Sequence, residues 1–157
     1  AGQATATMEL LEAHPDLEYL FVPVGGGGLL SGAALANAYF GSATLIGCEP
    51  TNASDAHESF YSGHWVPVTT ADTIADGLKT SLGKRNFPII QSHVDEISLV
   101  TEAEITAAWH FVLARLKQFI EPSAATGVAA CLKKSARGKM GIILCGGNMD
   151  TQKWALR

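Results

Sequence analysis

The sequence predicts an α/β protein built on a mostly parallel sheet flanked by helices. Three observations point there. An apolar run at residues 19–24 ends in four consecutive glycines, and a helical run at 29–40 and a second apolar run at 44–48 follow. That strand–helix–strand order requires a parallel pair with a crossover. The strand candidates are apolar throughout rather than alternating, as expected for strands covered on both faces. The helical stretches are rich in alanine, which lets them pack closely on a sheet.

Taken in order, residues 5–13 read as a short helix stopped by His14-Pro15-Asp16. Residues 19–24 form the first strand, 29–40 the next helix, closed by Gly41, and 44–48 the second strand. A short helix is expected over 52–62, irregular chain over 63–72 and a compact turn over 73–78. An apolar segment or helical turn follows at 87–90, and a third strand at 97–100. Thr101 and Glu104 have the spacing of a capping box, opening a long helix that runs to about Gln118 with Ile105, Ala108, Val112 and Leu116 on one stripe. Another helix is expected over 123–136, a fourth strand over 141–144 and a last helix over 150–156.

The chain has 157 residues, 47% hydrophobic and 17% charged, which suits one domain with a full core. Its net charge is −4 and its only basic cluster is Lys133-Lys134 with Arg137, so nucleic acid is not an expected partner. No apolar run reaches the length of a membrane span, and the first residues do not have the pattern of a signal peptide. The cysteines, Cys48, Cys131 and Cys145, are odd in number and lack a C-x-x-C spacing, which points to a reducing, cytoplasmic setting. The chain opens without methionine and enters a helix almost at once, so it is expected to be part of a longer protein.

The chemistry centres on Gly25, Gly26, Gly27 and Gly28. Glycines let main-chain N–H groups approach a ligand directly, and the helix behind them adds unpaired donors and the positive end of its dipole. Together these predict an anion site, most commonly for phosphate. It is not a P-loop, because no lysine occurs before position 70. Nor does it match the dinucleotide fingerprint, because Leu30 or Ser31 stands where the third glycine belongs. In an open α/β sheet, ligands gather beyond the carboxyl ends of the strands. Two further strand ends, Glu49-Pro50 and Cys145-Gly146-Gly147-Asn148, are therefore expected to face the same pocket.

Glu49 and Asp55 bracket a tight turn and offer oxygens to a hard cation; the competing reading is that Ser54 or Asp55 caps the following helix. Glu121, before Pro122, is either ligand-facing or a dipole-stabilising acid at a helix start. The histidines, His14, His57, His64, His93 and His110, form no ligand pair. Trp65, Trp109 and Trp154 are read as packing residues, and Lys117 as solvated.

As a set, these motifs resemble a known family. In order they are Gly2-Gln3-Ala4-Thr5, Val22-Pro23-Val24-Gly25-Gly26-Gly27-Gly28-Leu29-Leu30-Ser31-Gly32, Glu49-Pro50-Thr51-Asn52-Ala53, Thr73-Ile74-Ala75-Asp76-Gly77, Glu121-Pro122-Ser123 and Cys145-Gly146-Gly147-Asn148-Met149-Asp150. The chain resembles the serine/threonine dehydratase and serine racemase family of pyridoxal-phosphate enzymes, over nearly its whole length. The resemblance implies the tryptophan-synthase-β-like architecture (fold type II), with residues 1–157 forming the C-terminal part of the large cofactor-binding domain. Gly25, Gly26, Gly27, Gly28 and the N–H of Leu29 would hold the cofactor phosphate. Gly77 would lie against the ring, Cys145 opposite the ring nitrogen, and Glu121 near that end. Glu49, the Ala53 carbonyl and Asp55 would match a divalent-cation site taking Mg²⁺, Mn²⁺ or Ca²⁺.

The expected reaction is loss of water from a hydroxy amino acid, L-serine or L-threonine, with release of ammonia and a keto acid. Serine racemisation and 3-hydroxyaspartate dehydration are the neighbouring alternatives, and a non-catalytic binding chain is the alternative of another class. Ala4 and Ala124-Ala125 depart slightly from the family pattern. The larger departure is that the family's Schiff-base lysine and small domain have no counterpart in these residues. The chain is thus expected to be the C-terminal half of an enzyme about twice as long, inactive alone. Its implied partners are the N-terminal half, a hydroxy-amino-acid substrate and a second copy in a homodimer.

Overall fold

A computed structural model describes residues 2–134 and 137–148. Four strands form one parallel sheet in the order β3-β2-β1-β4, with β1 at Tyr19–Pro23, β2 at Thr44–Pro50, β3 at Glu96–Val100 and β4 at Met140–Ile142. Six α-helices accompany it: α1 (Thr5–Ala13), α2 (Gly28–Phe40), α3 (Asp55–Ser62), α4 (Phe87–His93), α5 (Glu102–Leu116) and α6 (Pro122–Lys133). Two single 3₁₀ turns, Thr51–Ala53 and Asp76–Leu78, complete the set among the described residues.

Alternation along the strands explains why the sheet needs cover on both faces. Leu20 and Val22 of β1 and Leu45 of β2 point to one side, into a core shared with Leu30, Ala33 and Ile90 of α2 and α4. Phe21, Ile46 and Cys48 point to the other, into a core closed by Ile105, Trp109 and Val112 of α5 and Ala124, Ala125 and Val128 of α6. The Trp109 indole N–H donates to the Ile120 carbonyl at 2.7 Å, which satisfies the one polar atom of that buried ring.

Local signals set the boundaries. Thr101 and Glu104 do form a capping box at α5. Asn37 clasps Ala43 through both main-chain groups, at 2.7 and 3.2 Å, joining the end of α2 to the start of β2. The helix expected over 52–62 is split: residues 51–53 turn as 3₁₀ and α3 begins at Asp55. The segment expected at 87–90 is a full helix to His93, with Pro88 in its first turn, where a missing N–H costs nothing. The last predicted helix, 150–156, and the end of the one expected over 123–136 lie outside the described residues.

Candidate functional site

The parallel sheet brings the carboxyl ends of β1 and β4 to one edge, where a cavity of about 260 Å³ opens. Pro23, Gly25, Gly26, Gly27, Gly28 and Leu29 line one side, and Gly77, Leu78, Glu121, Ser123, Cys145 and Gly146 the other. Among the described residues, Glu121 supplies the one charged side chain of that lining. Gly27 is the N-cap of α2 and has no side chain with which to cap it. The first-turn amides of α2, at Gly28, Leu29 and Leu30, therefore have no partner in their own helix. Among the described residues none accepts from the amides of Gly25, Gly26 or Gly27 either. Such a row of free donors at the positive end of a helix dipole fits a phosphate group.

Several glycines here are dictated by space. A methyl group on Gly25 would sit 3.0 Å from the Leu78 Cα and 3.2 Å from the Gly77 carbonyl, so the nest and the 76–78 turn touch main chain to main chain. The Gly77 N–H donates to Ser123 Oγ at 2.9 Å. Glu121 fastens the far side. Its N–H donates to the Gly146 carbonyl at 3.2 Å, and its Oε2 accepts the Asn148 N–H at 3.0 Å. Gly146, at φ +108°, leaves room for that carboxylate: a methyl there would lie 2.6 Å from Oε1. Cys145 is exposed at the rim.

Glu49 does not join this pocket, contrary to the expectation that the three strand ends share it. It lies on the α3 side of β2, only 1% exposed, and its two oxygens accept the N–H groups of Ala56 (2.9 Å) and His57 (2.8 Å). Burial pushes its carboxyl up to about 8; the two N–H bonds oppose that shift, and the Asp55 charge adds to it. Asp55 is raised too, again by burial first, while its Oδ2 accepts the Leu82 N–H at 2.7 Å. Asp55 faces a second cavity of about 400 Å³, lined also by Asn52, Ser54, Glu58 and Asp72. Among the described residues no three His, Cys, Asp or Glu side chains converge as a metal cluster. The expected set, Glu49 and Asp55 with the Ala53 carbonyl, contains two carboxylates and would lean on water.

Sequence reasoning missed Ser123 as a lining residue, and also Asn86, whose amide donates to the Gly26 carbonyl at 2.6 Å. Ser123 could have been found from its place in the first turn of α6, beside Glu121. Asn86 left no local signal, since its partner is distant in sequence.

A parallel α/β sheet with free main-chain amides at its carboxyl edge, facing a glutamate and a thiol, has the features of a protein that holds a phosphate-bearing group. The family model for pyridoxal-phosphate-dependent enzymes matches residues 1–146, and the chain belongs to that family. It is 44% identical to the L-threo-3-hydroxyaspartate ammonia-lyase of Saccharomyces cerevisiae, over 99% of this chain and 49% of that protein. It is also 44% identical to the serine racemase of Dictyostelium discoideum, over 96% of this chain and 49% of that one. The solved structure of maize serine racemase superposes with a TM-score of 0.91 at 38% identity, covering 98% of this chain and 49% of that one. The processed form of threonine deaminase isoform 2 from Solanum lycopersicum superposes at 0.90 and 31% identity, covering 98% and 47%. The fold is thus that of the fold-type-II pyridoxal-phosphate enzymes, and the chain spans about half the length of the curated relatives it matches.

Proposed function

We propose that this chain is the C-terminal, cofactor-phosphate-holding part of a hydroxy-amino-acid ammonia-lyase. The whole enzyme would eliminate water from a β-hydroxy-α-amino acid and take a water back as ammonia leaves, so that the net products are a 2-keto acid and ammonia. The observation that carries the reading is the cavity in which free main-chain amides, Gly77, Glu121 and Cys145 meet. Pyridoxal phosphate, when bound, supplies an electron sink for the substrate's α-carbon. The chain's own residues do the rest of this half's work. The amides of Gly25 to Leu29 would hold the phosphate, Gly77 would offer bare main chain to the ring, and Glu121 fixes the Cys145–Asn148 segment. Cys145 would offer the ring nitrogen a thiol, which, unlike a carboxylate, would not hold it protonated, and a weaker electron sink suits loss of the β-hydroxyl better than transamination.

Relatives named as 3-hydroxyaspartate ammonia-lyases and as serine racemases are similar to this chain to nearly the same degree. Serine, threonine and 3-hydroxyaspartate therefore all belong in the assay, with racemisation of serine as the second activity. No lysine lines the cavity among the described residues, and the chain alone is expected to be inactive. Supplied with the upstream half, it should give a near-visible absorbance band with pyridoxal phosphate and keto acid from at least one of these substrates. Absence of both would sink the enzyme reading in favour of a non-catalytic binding chain.

We further assign Glu49, the Ala53 carbonyl and Asp55 to a structural divalent cation, Mg²⁺, Mn²⁺ or Ca²⁺. Each carboxylate retains lone pairs beyond the N–H bonds it accepts, and a cation would relieve the repulsion that Asp55 exerts on Glu49. If Asp55→Ala leaves the stabilisation by added Mg²⁺ unchanged, that assignment is wrong. All three cysteines are free, which suits a reducing cytoplasm. No helix among the described residues is long and apolar enough to cross a membrane. A homodimer, as the family resemblance implies, would appear by light scattering of the reconstituted protein.

A further inference from the structure

Asparagine is among the best helix N-caps, yet Asn86, the N-cap of α4, makes no side-chain cap bond. Its amide is committed elsewhere: Nδ2 donates to the Gly26 carbonyl at 2.6 Å. The same carbonyl accepts the Gly83 N–H at 3.0 Å. Since Gly26 O is an acceptor only, the amide must present its NH₂ there. Neither Gly83 nor Asn86 lines the cofactor cavity, so both bonds pull the Gly26 carbonyl away from it. In a planar trans peptide the C=O and the following N–H point in opposite directions. Holding the Gly26 carbonyl on that side therefore turns the Gly27 N–H to the other, toward the cavity.

The receptor for this carbonyl is closely fitted. A methyl on Gly83 would lie 2.9 Å from Asn86 Nδ2 and 3.1 Å from Gly26 O, and one on Gly27 would lie 3.1 Å from Asn86 Cβ. The turn that carries it is itself anchored. Asp55 Oδ2 accepts the Leu82 N–H at 2.7 Å, and the Trp65 indole N–H donates to the Leu82 carbonyl at 2.6 Å. Asn86 N–H donates to the Gly83 carbonyl at 2.8 Å, closing the turn on itself.

We propose that Asn86, together with Gly83, is a positioning residue for the anion nest: it locks the Gly26–Gly27 peptide so that the Gly27 amide is aimed at the cofactor phosphate before the cofactor arrives. This rests on the proposed cofactor reading of the cavity.

The test uses the full chain, the variants Asn86→Ala and Asn86→Asp, and calorimetric titration with pyridoxal 5′-phosphate, inorganic phosphate and pyridoxal, which lacks the phosphate. Asn86→Ala leaves Gly26 O its second donor, so the fold should persist while phosphate and pyridoxal phosphate bind about tenfold more weakly. Asn86→Asp keeps the shape but sets acceptor against acceptor, and should weaken both further. Pyridoxal binding should be unchanged in either variant. The proposal is overturned if Asn86→Ala binds pyridoxal phosphate within about twofold of the parent. It is equally overturned if pyridoxal affinity drops in parallel, since that marks general damage rather than a loss of phosphate grip. A parent chain that binds neither phosphate nor pyridoxal phosphate would overturn the cofactor reading itself and this inference with it.

Discussion

Adding one methyl group at Gly27 and at Gly28, neighbours in the nest, should move stability in opposite directions. Gly27 sits at φ +80°, in the left-handed region, which costs an L-residue about 1–2 kcal/mol. Its new Cβ would lie 2.6 Å from Leu82 Cδ1, 3.0 Å from Ile90 Cδ1 and 3.1 Å from Asn86 Cβ. The leucine tip can swing, but Ile90 is wholly buried and Asn86 is held at its amide, so overpacking adds about 1–3 kcal/mol. Gly27→Ala is expected to lose roughly 2–5 kcal/mol in total. At Gly28, the first residue of α2, a Cβ meets nothing within 4 Å and φ is not positive. Alanine there removes unfolded-chain freedom and should be neutral or gain up to about 1 kcal/mol. Urea denaturation followed by circular dichroism, with equal m-values across the three proteins, measures both. A Gly27→Ala variant within about 0.5 kcal/mol of the parent would refute the geometry claimed for the nest.

Other substitutions test other parts of the structure. Glu49→Gln turns one amide NH₂ toward a main-chain N–H donor and should cost about 1–3 kcal/mol in the same denaturation assay. The folded Glu49 carboxyl, raised from 4.5 to about 8 by burial, binds its proton more tightly than the unfolded one. Its contribution to stability is therefore full below the unfolded value and is lost as pH rises through about 8. With a chelator present, so that no cation holds the carboxylate ionised, denaturation midpoints at acid, neutral and alkaline pH should fall across that window in the parent, and the Glu49→Gln variant should lack this component. Ser123→Ala leaves the Gly77 N–H without its acceptor, and should cost about 1–2 kcal/mol while weakening pyridoxal-phosphate binding in titrations. Thr101→Ala removes the α5 capping box and should cost about 1 kcal/mol with no change in cofactor affinity.

Most of the fold was legible because its signals are local. The apolar runs that became β1, β2 and β3, the glycine break before α2 and the Thr101–Glu104 box each act within a few residues. What depended on distant partners was not legible. β2 runs two residues beyond its expected end because Glu49 and Pro50 pair with Leu99 and Val100 of β3. The site divided in the same way. Gly25 to Gly28 and Cys145 line the expected cavity and stand at apolar strand ends, whereas Gly77, which lines it too, is implied only by the family resemblance, and Glu121 reads equally well as a helix-start acid. Glu49 faces away from that cavity because strand side chains alternate: Cys48 points into the α5–α6 core, so its neighbour points toward α3. Asn86 and Ser123 act through contacts 60 and 46 residues away, which no local pattern encodes.

The donors that the nest offers are main-chain N–H groups, which every residue except proline carries. Exchanging one side chain for another cannot retune it by small steps; a substitution there either leaves the main chain as it was or pushes it out of shape. A change of specificity in such a protein is therefore easier to make at the surrounding side chains than at the nest. Relatives named for racemisation, deamination and ammonia release superpose on this chain or align along nearly all of it. One main-chain scaffold is thus compatible with several named activities, which a nest built from side chains would tie more closely to a single sequence.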